Sequence, residues 1–190
     1  GMPLLGMDSK PEDLATSQAL ASVGQSRLIS RYQQSLERFG IVAGQVLLTA
    51  GDLEAIETRE NAKRAMDRLV SLRVLPIVNE NDTVATQEIR FGDNDKLAAM
   101  VAILVKADAL ILLSDVDALY DVPPSNPGAK RIDYVGFDED LSGVEIGGSS
   151  SAVGTGGAVT KVSAARVATD SGVSVLLTST DLVAQALEGE

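Results

Sequence analysis

Two short segments carry residues suited to chemistry. Residues 79–82 read "NEND" and residues 92–95 read "GDND", so two carboxylates and two amides stand at one predicted strand end, shortly before a second carboxylate–amide group. Three uses are open to such a cluster. Hard cations take oxygen ligands, although "DNDK" lacks the glycine and distal glutamate of a calcium-binding EF-hand loop. A small substrate with an ammonium group and carboxylates could pair with Asp82 and with the amide of Asn94. The third use is a solvated acidic face.

A third segment, "GTGGAVTK" at residues 154–161, narrows the choice. Gly154, Gly156 and Gly157 allow positive φ and close backbone approach to a ligand. The helix predicted to follow points its first amides at an anion, and Lys161 adds a positive charge one turn in. The spacing fits neither a Walker A loop nor the dinucleotide fingerprint.

Elements must hold these segments in place. Helical patterns alternate with short apolar runs: a helix over 11–39 broken near Gly24 and stopped at Gly40, a buried strand at 46–49, and an amphipathic helix over 58–72 with Thr58 as N-cap. A strand at 74–78 follows, with Pro76 an objection to a central position. Next come an apolar, buried helix over 95–106, a strand at 109–113 buried on both faces, a loop at 122–128, a helix ending near Ser171, a strand at 173–177 and a short final helix. Apolar strands without polar alternation indicate an α/β fold, a three-layer α/β/α sandwich with a mainly parallel central sheet. In such sheets ligands bind beyond the carboxyl ends of the strands. Polar residues gather there: Thr49, Asn79, Ser114 with Asp115, and Thr178 with Ser179.

Composition restricts the chemistry. The 190 residues include no cysteine and no histidine, so thiolate and imidazole chemistry is excluded. A net charge of −11 disfavours nucleic acid and anionic lipid as partners. No apolar run approaches the ~20 residues that span a bilayer, and no leader pattern opens the sequence, so a cytoplasmic location is expected.

The segments "VNENDTVA", "FGDNDKLAA", "LILLSDVDALY" and "GTGGAVTK", in this order and spacing, resemble the amino acid kinase family in its glutamate-phosphorylating branch. "YQQSLERFGIVAGQVLLT" is similar as well. The resemblance implies transfer of the γ-phosphoryl group of ATP, with Mg²⁺, to the side-chain carboxylate of L-glutamate, giving glutamyl 5-phosphate on the way to proline. It places Asn79, Asp82 and Asn94 on glutamate, with Asp82 at its amino group. Asp95 and Lys161 become catalytic, the lysine stabilising the transferring group and Asp95 organising the lysines. Ser114 and Asp115 fall at the nucleotide, and Thr155, Gly156, Gly157, Ala158, Val159, Thr160 and Lys161 wrap its phosphates. No direct metal ligand is assigned.

Residues 1–190 read as one amino acid kinase domain that lacks the family's opening strand, its Gly-rich loop and first lysine, its closing segment, and the RNA-modification-type domain found in many members. A homo-oligomer and the next enzyme of the pathway, a glutamyl phosphate reductase, are the expected protein partners. The rival expectations are another amino acid kinase and a nucleotide-binding regulatory module without catalysis.

Overall fold

The computed structural model describes residues 1–9, 11, 13–86, 91, 93–122, 125–136, 139 and 158–188. The chain divides into two compact units, Gly1–Phe91 and Gly92–Glu190.

In the first unit a short 3-10 helix, Met2–Leu5, precedes α1, Leu14–Glu37. Asp13 caps α1 by accepting from the Thr16 amide at 2.8 Å, and that backbone hydrogen bond holds its carboxyl below the ordinary carboxylate value. The break expected near Gly24 does not occur. A mid-helix glycine weakens a helix by about 1 kcal/mol without ending it. A Cβ at Gly24 would lie only 3.0 Å from the Gly1 nitrogen, so the bare backbone admits the first residues of the chain. Gly40, at φ +67°, follows the end of the helix as expected.

Strand β1, Val42–Leu48, pairs in parallel with β2, Val74–Glu80; Leu47 stands opposite Asn79 and Leu48 opposite Glu80. Pro76 is accommodated in this pair opposite Gly44. Helices α2, Ala50–Glu54, and α3, Ile56–Ser71, cross between the strands. Thr49 opens α2 with a capping box: its hydroxyl accepts from the Asp52 amide, while its own amide donates to Asp52 Oδ2 at 2.7 Å. The N-cap of α3 is Ala55 and not Thr58. Thr58 lies inside the first turn, where its hydroxyl donates back to the carbonyl of Asp52 at 2.8 Å and bridges α2 and α3. Leu53 and Met66 are the largest fully buried side chains.

In the second unit α4, Asn94–Val105, leads into β3, Ala109–Ser114, which pairs in parallel with β6, Ser174–Ser179. Helix α5, Ala158–Asp170, precedes β6. Ala99 and Ala102 of α4, Ala164 and Ala168 of α5, and Val173 form the core. Four alanines let the helices approach closely, because interaxial distance follows side-chain size. Burial of α4 is deepest at Leu97, Ala99 and Ala102. Strand β3 is less enclosed than its composition suggests: Leu112 is buried but Leu113 is exposed. A hairpin unforeseen in the sequence, β4 at Leu119–Tyr120 against β5 at Arg131–Ile132, flanks the expected loop. A 3-10 turn, Thr180–Leu182, and α6, Val183–Glu188, complete the unit. Each unit is therefore α/β with parallel strand pairing, the expected class.

Candidate active site

The carboxyl end of β2 is the polar centre of the first unit. Asn79 is half-buried, and its amide donates to Gln25 Oε1 of α1 at 2.8 Å. Glu80 is buried and accepts from the Phe91 amide at 2.6 Å, joining the two ends of the segment between them. Asn81 donates its amide to the Leu48 carbonyl at 2.9 Å, and its own carbonyl receives the amides of Val84 and Ala85. Asp82 thus sits, half-buried, in a tight turn directly after β2.

Helix α1 is tied by glutamines to both ends of the β1–β2 pair. Gln18 donates to the Ala85 carbonyl at 3.3 Å, Gln25 holds Asn79, and Gln33 accepts from the Ala43 amide at 3.0 Å. Spacings of seven and eight residues put all three on one helical face.

The second unit holds a cation. Asp93 caps α4 by accepting from the Lys96 amide at 2.9 Å, which exposes Asn94 and turns Asp95 inward on the first turn. Lys161 Nζ lies 2.9 Å from Asp95 Oδ1 and 3.0 Å from Oδ2, and the Thr160 hydroxyl donates to Oδ2 at 2.9 Å. Both charged side chains are only 14% exposed. The alanine seam explains the meeting. Asp95 lies one turn before Ala99 on α4, Lys161 one turn before Ala164 on α5, and the close helix contact brings the first turns together. A nearly buried ion pair is a poor stabiliser compared with apolar packing.

The other predicted site residues fall as follows. Ser114 ends β3 and its hydroxyl donates to the Asp115 carboxylate at 3.1 Å. Asp115 and Val159 are exposed, and Ala158 opens α5. Thr155, Gly156 and Gly157 lie outside the described residues. Beyond β3, Asp117 accepts from the Tyr120 hydroxyl at 3.0 Å, which pushes that phenol above its ordinary value, and lies 3.4 Å from Arg131 of β5. This pair fastens the hairpin that follows Ser114 and Asp115.

Sequence reasoning missed two residues: Glu80 as the anchor of Phe91, and Gln25 as the partner of Asn79. A lone glutamine on a polar helix gives no signal of an inward role. The acidity of "NEND" flagged Glu80 only as one of a group. Among the described residues no group of three or more acidic side chains could hold a metal ion, and no helix is long and apolar enough to cross a membrane.

The sequence pattern of the amino acid kinase family matches residues 4–179. Glutamate 5-kinase of Clavibacter michiganensis subsp. michiganensis (strain NCPPB 382) is 70% identical over 190 residues, covering all of this chain and 73% of that protein. Glutamate 5-kinase of Clavibacter sepedonicus is 69% identical over 189 residues, with 73% of its length covered. That of Leifsonia xyli subsp. xyli (strain CTCB07) is 65% identical over 191 residues, with 71% covered. With its α/β units and a match that spans nearly its whole length, the chain belongs to the amino acid kinase family.

Proposed function

We propose that the protein phosphorylates the side-chain carboxylate of L-glutamate with ATP, releasing ADP and glutamyl 5-phosphate, the first step of proline biosynthesis. The observation that carries this reading is the identity of 65–70% across the whole chain to proteins named glutamate 5-kinase. The geometry supplies a chemistry compatible with it.

The acceptor carboxylate has a reference pKa of about 4.3 and is an anion at neutral pH. It attacks phosphorus without first losing a proton, so the reaction needs no histidine as general base. Catalysis of phosphoryl transfer is mainly positioning and neutralisation of charge on oxygen. Lys161 provides that charge, and Asp95 with Thr160 fixes its ammonium group at the N-terminus of α5. Asp82 pairs with the ammonium group of glutamate, and the amides of Asn79 and Asn94 bind its oxygens. Ser114 and Asp115 serve the nucleotide.

Mg²⁺ is held through one or two carboxylates together with phosphate oxygens and water. The donor set therefore suits an ion that arrives on ATP, where it neutralises phosphate charge. Self-association, a cytoplasmic location and a reductase that consumes the acyl phosphate belong to the same proposal.

The test uses the full-length protein with ATP, Mg²⁺ and hydroxylamine, which traps an acyl phosphate as its hydroxamate. ADP and glutamyl hydroxamate should appear in equal amounts with glutamate, and neither with aspartate or N-acetylglutamate. ADP release that ignores glutamate would refute the reading.

A further inference from the structure

Gln25 is placed oddly for a structural residue. It lies in the middle of α1, its Oε1 accepts from Asn79, and its Nε2 is fully buried with no hydrogen-bond partner among the described residues. A buried donor left unpaired destabilises a fold, whereas an apolar side chain of similar shape at the same place does not. Packing alone would therefore be served better by methionine. Local rules of this kind are broken where function requires it. What Gln25 provides and methionine cannot is an acceptor for one face of the Asn79 amide. The carboxamide of Asn79 would otherwise rotate, since its terminal torsion is soft. Gln18 holds the Ala85 carbonyl from the same helix face, so α1 contacts the Asp82 turn on both sides.

We propose that Gln25 is a positioning residue for the acceptor substrate: it orients the Asn79 amide towards an oxygen of the bound amino acid. This rests on the glutamate-kinase reading given above. The consequence is a split between stability and affinity that a purely structural residue would not give.

The test compares Gln25→Met and Gln25→Leu with the full-length wild type, following ADP release against glutamate concentration together with thermal unfolding. Both variants should unfold within a few degrees of the wild type, because removal of the unpaired Nε2 offsets loss of the acceptor for Asn79. Their KM for glutamate should rise about tenfold, the equivalent of one hydrogen bond, while kcat stays within about twofold. In a double-mutant cycle, Asn79→Ala should remove most of the effect of Gln25→Met. An unchanged KM with a lowered unfolding temperature would overturn the proposal and leave Gln25 structural. Multiplying effects in the cycle would overturn it too. Failure of the wild type to release ADP in response to glutamate would instead overturn the underlying reading.

Discussion

The two units organise their polar residues in different ways. Around β2 in the first, the connections are amides and one carboxylate bonded to backbone or to another amide: Gln25 to Asn79, Gln18 to Ala85, Glu80 to Phe91. Such bonds fix direction and carry little net charge. At the first turns of α4 and α5 in the second, a lysine and a threonine both donate to one aspartate. That arrangement holds charge in place. On the proposed reading, Asn79 and Asp82 of the first unit and Asn94 of the second bind the amino acid, and Lys161 stabilises the transferring phosphoryl group.

The largest expected effect comes from removing the held cation. Lys161→Ala should lower kcat by about 10²–10³-fold, the scale on which a preorganised charge acts. It should also destabilise the protein by about 3 kcal/mol, because Asp95, only 14% exposed, loses its ion-pair partner. Combining it with Asp95→Asn should restore stability but not turnover, which separates the two roles. An intermediate effect is expected at Glu80. Glu80→Ala leaves the Phe91 amide buried without this acceptor, at about 1–3 kcal/mol, and Glu80→Gln should recover most of it in denaturant unfolding. The smallest effect belongs to Thr49→Ala. It removes a helix cap worth about 1 kcal/mol, lowering Tm by about 2–4 °C with kinetic constants intact; altered kinetics would give Thr49 a place in recognition.

Much of this organisation could be read from residues alone, and the limits were physical. The start of α4 was legible because an N-cap aspartate precedes a long apolar run. The parallel strands were legible because they lack polar alternation. The hairpin β4–β5 was not, since two-residue strands carry no periodicity. The N-cap of α3 was misplaced because a threonine hydroxyl can bond back to a preceding turn as readily as cap its own. The glutamine seam of α1 was hidden for a similar reason. Gln25 and Gln33 open and interrupt "QSRLISRYQQSLER", which reads as either a solvated helix or an oligomer face. Both turn towards the strands, because strand amides and a strand-end side chain need partners there. Asp95 and Lys161 are 66 residues apart. No spacing rule joins them; only the alanine seam of the folded helices does.

Recognition by Asp82 and charge stabilisation by Lys161 separate in one pair of glutamate saturation curves. In the full-length protein, Asp82→Ala should raise KM for glutamate by at least about tenfold with a modest change in kcat. Lys161→Ala in the same assay should lower kcat and leave that KM close to wild type. A Lys161→Ala enzyme with near-normal kcat, or an Asp82→Ala enzyme that saturates at the wild-type glutamate concentration, would contradict the account.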